Sequence, residues 1–80
     1  MSQLFEPFSD QELLIKFGKH VKELRLRKGL TSAEVARSCD MDRGNYTRIE
    51  TGKTTPALVT LKKLCLSLDI SFKVLFEEFH

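Results

Sequence analysis

Residues 29–52, GLTSAEVARSCDMDRGNYTRIETG, decide the fold, because they spell two short helices joined by a tight turn, the second of them basic. Thr31 or Ser32 offers a hydroxyl to cap the first helix, and Glu34 stands early enough to reach back and complete a capping box. Val35, Ala36 and Cys39 then form one small apolar face. Asp40, Met41 and Asp42 carry turn chemistry, and Asp42 is suited to cap the next segment, Arg43 to Thr51. In that segment Tyr46 and Ile49 fall three apart and face inward, while Arg43, Gly44, Thr47 and Arg48 face outward. Gly52 ends it with a residue that tolerates the left-handed backbone expected just past a helix. A helix that exposes arginines and small polar groups can bond the base edges and phosphates of a nucleic acid.

Helices extend on both sides of this pair. Ser9, Asp10 and Glu12 form a capping-box start for a long helix reaching about Lys28, with Leu14, Phe17, Val21 and Leu24 along one stripe and Gly29 as the stop. Downstream, Thr54, Thr55 and Pro56 make a loop and helix start, and Leu58, Leu61, Leu64, Cys65 and Leu68 mark a fourth helix with a broad apolar face. A short last helix, capped by Ser71, carries Phe72, Leu75, Phe76 and Phe79. The expected architecture is all-α: one domain over residues 1–80, with the helix pair at about 31–51 and the last helix at about 70–79.

Eighty residues make one small domain, near the size at which a single core is marginal, so association with a second copy is a natural way to bury more surface. Abundant Leu with few Gly and Pro favours helices over a β-sandwich. The net charge of +2 is too weak by itself to argue for nucleic acid. Its distribution is more telling: residues 1–12 carry only acids, whereas Lys16 to Lys28 hold six basic residues against Glu23 alone. Such a run is also what a solvated helix face looks like.

Cys39 and Cys65 lie far apart on apolar faces, without the spacing of a metal site or a disulfide framework, which points to reduced core thiols and a cytoplasmic protein. No signal peptide or membrane-spanning run is expected, since Glu6 and Pro7 interrupt the first apolar stretch. His20 has no second ligand or nucleophile at a useful spacing, and Ser38, Asp40 and His20 have no reason to converge, so no catalytic residue, metal, cofactor or small-molecule substrate is expected.

The pieces VKELRLRKGLT at 21–31, AEVA at 33–36, DRGNYTRIETGK at 42–53 and PALVTLKKL at 56–64 resemble, in order and spacing, the helix-turn-helix repressors of the phage repressor, Cro and xenobiotic-response-element type. The resemblance runs from about Phe17 to Phe76, and the Asp-Arg start of the second helix looks like the controller proteins of restriction-modification systems. It implies a five-helix, lambda-repressor-like domain that binds double-stranded DNA as a homodimeric bacterial or phage transcriptional regulator. Arg43, Gly44 and Arg48 match positions from which family recognition helices touch base edges, with Thr47 nearby. Thr31, Asn45, Lys53 and Thr54 match positions that flank the DNA backbone. Ser32 stands where the family often has a phosphate-anchoring Gln, and Gly44 has no side chain to read with, so the chain departs from the pattern at two points. Arg25 and Glu50 match a salt bridge that fixes the recognition helix to the scaffold in similar proteins.

The last helix is unusually apolar for a chain end, and Ile70, Phe72, Leu75, Phe76 and Phe79 are the expected dimer interface. The other reading of the same residues is a protein-interaction module on this fold, such as an antitoxin or coactivator-like adaptor, in which that face meets a foreign partner.

Overall fold

The computed structural model describes residues 8–77, which form five helices: α1 (Asp10–Arg27), α2 (Ser32–Ser38), α3 (Arg43–Glu50), α4 (Leu58–Leu68) and α5 (Phe72–Leu75). Side-chain caps set four of the five starts. The Ser9 Oγ accepts from Glu12 N at 3.1 Å while Glu12 Oε1 accepts from Ser9 N at 2.9 Å, and Thr31 and Glu34 repeat the box at 3.1 and 2.8 Å. Asp42 caps α3 through Asn45 N at 2.7 Å, and Ser71 caps α5 through Val74 N at 3.1 Å. Each cap satisfies an amide that would otherwise be an orphan of the first turn. α4 begins without one: Ala57 is its N-cap and makes no side-chain hydrogen bond.

The C-termini close in a common way. Past α3, Gly52 takes φ +74°, so that its N–H reaches Ile49 O at 3.2 Å and Lys53 N reaches Arg48 O at 2.8 Å. Those two bonds absorb carbonyls left over at the helix end. α2 and α4 end the same way with Asp40 and Asp69 in the left-handed region, at φ 57° and 54°. Asp is one of the few side chains for which that conformation is affordable, because its short polar group can bond locally.

The core is built from Phe17, Val21 and Leu24 of α1, Val35 and Ala36 of α2 with its C-cap Cys39, Tyr46 and Ile49 of α3, Leu64, Cys65 and Leu68 of α4, and Leu75 of α5. Leu30, Met41, Leu61, Ile70 and Val74 pack against it. Burial pushes both thiols, Cys39 and Cys65, above their ordinary range, and both are unbridged. His20 is also buried, and its Nε2 donates to Val74 O at 2.8 Å, tying α1 to α5.

Two expectations change here. Leu58 does not join the buried face of α4 but is 74 % exposed, as are Val59 (63 %) and Leu66 (73 %), so α4 has an outer apolar side as well as an inner one. Leu75 does not present surface: it is fully buried in the chain's own core and cannot belong to an interface face. Phe79 lies outside the described residues. No helix among the described residues is long and apolar enough to cross a membrane.

Candidate nucleic-acid interface

α3 is held against the scaffold at both ends of its buried face. Tyr46 is completely buried and Ile49 nearly so, which fixes the rotation of the helix about its axis. Glu50 then gathers three donors. Arg25 Nε donates to Glu50 Oε2 at 2.7 Å and its Nη2 to Glu50 Oε1 at 3.2 Å, a two-pronged contact between α1 and α3, while the Tyr46 hydroxyl also donates to Glu50 Oε2. The remaining prong, Arg25 Nη1, donates to Leu30 O at 2.9 Å in the α1–α2 turn. Only 10 % of the Arg25 side chain and 8 % of the Glu50 side chain are exposed. The hydrogen bond to Glu50 holds the Arg25 guanidinium above its ordinary pKa, and burial, followed by the bond to Glu50, pushes the Tyr46 phenol well above the usual range. Each charge is therefore occupied within the scaffold.

Gln11 completes the clamp by donating from Nε2 to Gly52 O at 3.2 Å, so the N-terminal half of α1 seats the end of α3. Gly52 itself admits no side chain, since a Cβ would come within 2.8 Å of Ile15.

What this clamp leaves outside is the other face of α3. Arg43, Gly44, Asn45, Thr47 and Arg48 are all exposed. A groove on each side of the helix extends this face. One is lined by Ile15, Lys19, Lys22 and Arg25 of α1, Ser32 of α2, and Arg43, Thr47, Glu50 and Thr51. The other is lined by Met41, Asn45, Arg48, Ile49, Thr54, Thr55, Pro56, Ala57 and Thr60. The structure thus brings Ser32 beside Arg43 and Thr47, and Thr54 beside Asn45 and Arg48. Thr31, Gly44 and Lys53 line neither groove; Thr31 and Lys53 are exposed at the turns on either side of the helix pair.

Two of these side chains have internal duties. Thr31 Oγ1 accepts from Glu34 N at 3.1 Å, a role that leaves the hydroxyl proton to donate outward. Asn45 Nδ2 donates one hydrogen to Asp42 Oδ2 at 3.3 Å, which orients the amide and leaves its second N–H to reach outward. Lys19 and Lys22 were not singled out from the sequence as anything beyond a charge run. The legible signal was their spacing with Ile15, i, i+4 and i+7, which puts all three on one side of α1, the side that meets the N-terminus of α2 and the open edge of α3.

At the other end of the chain, Phe72 and Phe76 are part-exposed and Ile70 half-buried. The Phe76 ring stacks on Phe17 at 5.7 Å between centroids and on Phe72 at 6.4 Å, so α5 is anchored to α1 through one of the aromatic rings expected at an interface.

Comparison with known proteins gives a concordant result. The helix-turn-helix family HTH_3 matches residues 21–75. The control protein C.MunI of Mycoplasma sp is 37 % identical over 68 residues, covering 84 % of this chain and 92 % of that protein. The HTH-type transcriptional regulator YqaF of Bacillus subtilis (strain 168) is 37 % identical over 60 residues, covering 75 % of this chain and 79 % of that protein. Among solved structures, the restriction-modification controller protein C.AhdI from Aeromonas hydrophila superposes with a TM-score of 0.76 at 38 % identity, covering 79 % of this chain and 96 % of that one.

Proposed function

The chain belongs to the helix-turn-helix family, as a DNA-binding transcriptional regulator, and from that premise we propose that it works as a homodimer on a two-fold symmetric operator, in the manner of a controller protein or repressor. The observation that carries this reading is the division of α3. One face is locked by Tyr46, Ile49 and the Arg25–Glu50 pair, and the opposite face, with Arg43, Thr47 and Arg48, is exposed and has no side-chain partner among the described residues. A helix so presented enters the major groove, where an arginine can bond guanine O6 and N7 in a bidentate manner worth about 1–3 kcal/mol of discrimination. We assign base contact to Arg43, Gly44, Thr47 and Arg48, and phosphate contact to Thr31, Ser32, Asn45, Lys53 and Thr54. The groove beside Arg43 adds Lys19 and Lys22 of α1 to the phosphate set. Glu50 and Arg25 act as scaffold.

The dimer is supported by the apolar side chains left uncovered. Leu58, Val59 and Leu66 of α4 are mostly exposed, and Phe72 of α5 is nearly half exposed. Two copies related by a two-fold axis would set their recognition helices about 34 Å apart, one turn of DNA. Two modest half-site contacts then add through effective concentration. The protein would act where the DNA is, in the cytoplasm, as a regulator and not as an enzyme. In the alternative reading the same apolar side chains meet a foreign protein, as in an antitoxin.

The test is enrichment of a binding sequence from a randomised duplex pool, followed by titration of the enriched duplex against a random-sequence duplex at several salt concentrations. A symmetric enriched sequence, bound with a salt-dependent constant, is the expected result. A pool that yields no preferred sequence would refute the operator reading.

A further inference from the structure

Of the chain's four glycines, Gly44 is the one for which the fold supplies no reason. Gly18 and Gly52 stand where a Cβ would collide with neighbouring atoms, and Gly29 has a positive φ at the end of α1. Gly44 lies in the first turn of α3 without a positive φ, is exposed, and among the described residues a Cβ there would meet only Asp42 Oδ1, at a contact distance of 3.4 Å. A glycine inside a helix gives up backbone freedom that alanine would not, so within the chain this residue is a cost without a return.

Its angular place on α3 says where the return lies. At 100° per residue, Gly44 points within about 10° of the direction opposite the buried pair Tyr46 and Ile49. Arg43 and Thr47 flank it on one side and Arg48 and Asn45 on the other, so the outward face of α3 has its lowest point in the middle of its most polar arc. It is also at the N-terminal end of the helix, the end from which recognition helices meet base edges.

We propose that Gly44 determines specificity by having no side chain: it lets the backbone of α3 close onto the floor of the major groove, in a gap that accommodates one thymine C5-methyl group. The methyl is the apolar protrusion that the groove floor presents, and it needs contact without a hydrogen-bond partner, which a bare Cα can provide. Arg43 and Arg48 then straddle the methyl and reach the neighbouring base pairs. The inference rests on the reading of α3 as the DNA-contacting helix.

The experiment pairs a protein change with a DNA change. Gly44→Ala should leave the fold intact and raise Tm by about 4–8 °C. It should also weaken binding to the enriched duplex by roughly tenfold or more while leaving random-sequence binding within about twofold. Replacing thymines of the enriched duplex one at a time by deoxyuridine removes the methyl and nothing else. At one position per half-site the uracil duplex should bind the unmodified protein more weakly and should restore binding to Gly44→Ala, whose new methyl fills the vacated gap. Unchanged affinity in Gly44→Ala, an equal loss on both duplexes, a marked fall in Tm, or the lack of any rescuing uracil position would each overturn the proposal. Arg43→Ala, run alongside, separates the two levels of inference. If Arg43→Ala loses discrimination and Gly44→Ala does not, the gap is wrong and the contact helix stands; if neither variant loses any, the contact helix itself is wrong.

Discussion

Gly18 of α1 lies directly against the backbone of Glu50 at the end of α3: a Cβ at Gly18 would sit 2.4 Å from the carbonyl oxygens of both Ile49 and Glu50. Side chains can rotate out of the way of an added methyl, but the carbonyls of a helix end cannot move without shifting the backbone that carries them. α1 and α3 cross in contact at this point, and the depth of that crossing brings Arg25 within reach of Glu50. Gly18→Ala should therefore destabilise the protein by about 3 kcal/mol, at the upper end of what overpacking costs, despite the gain in helix propensity. Thermal melting checks it, and a Tm at or above that of the unmodified chain would mean that the crossing is looser than described.

Glu50→Ala should lower both thermal stability and DNA binding. It strands the Arg25 guanidinium with Leu30 O as its one remaining acceptor among the contacts described, and it leaves the buried Tyr46 hydroxyl without its carboxylate. Removing one partner of a buried ion pair costs about 3–5 kcal/mol, far more than the pair contributes net, because the other charge stays desolvated. Melting and titration should fall together. Wild-type melting with lost binding would make Glu50 a DNA contact.

Arg43 and Lys53 should separate by the kind of loss they produce. Arg43→Ala should cost about 1–3 kcal/mol on the enriched duplex and flatten discrimination, whereas Lys53→Ala should weaken all duplexes alike and lower the salt slope by about one unit. Titrations at several salt concentrations distinguish the two. Equal loss of discrimination in both variants would refute the assignment.

Glu34 makes the start of α2 sensitive to acid. The hydrogen bond from Thr31 N to Glu34 Oε1, at 2.8 Å, holds the carboxyl below its ordinary pKa. Stability from a group whose folded pKa is depressed is fully present above the unfolded value of about 4.3 and is lost as pH falls through the folded value. The Tm difference between the unmodified protein and Glu34→Ala should accordingly be constant near neutrality and shrink in acid below about pH 4. A gap that stays constant into strong acid would mean that the carboxylate charge is irrelevant to the cap.

Leu66→Asp on α4 and Phe72→Asp on α5 should yield a folded monomer with much weaker operator binding, since Leu66 is mostly exposed, Phe72 is nearly half exposed, and neither belongs to the buried core cluster. Leu75→Asp should instead unfold the protein, its side chain being fully buried. Sedimentation at micromolar concentration reads the difference. An unmodified protein that remains monomeric with and without a symmetric duplex would favour the reading in which this surface meets a foreign partner.

The helix boundaries were legible in the sequence because caps and stops are local chemistry. Ser9 with Glu12, Thr31 with Glu34, Asp42 and Ser71 each bond an amide three residues on, and Gly29 and Gly52 supply the backbone that the next turn requires. The outward side of α3 was legible too, because Tyr46 and Ile49 are its only large apolar residues and can point only one way. α4 offered no such asymmetry. With apolar residues around much of its circumference, periodicity could group Leu58 with Leu64 but could not say where neighbouring helices end, and Leu58 lies beyond them. Leu75 was legible as apolar and not as core, since the sequence does not reveal which side of a one-turn helix folds back on the bundle. Gly18 in mid-helix reads as a weakness until α3 is laid across it, and His20 as an idle side chain until the Val74 carbonyl, 54 residues later, accepts its hydrogen bond. Residue pairs within one turn are decided by the chain itself; which of two apolar faces is covered, and which glycine is a contact, depend on elements that only meet when the chain has folded.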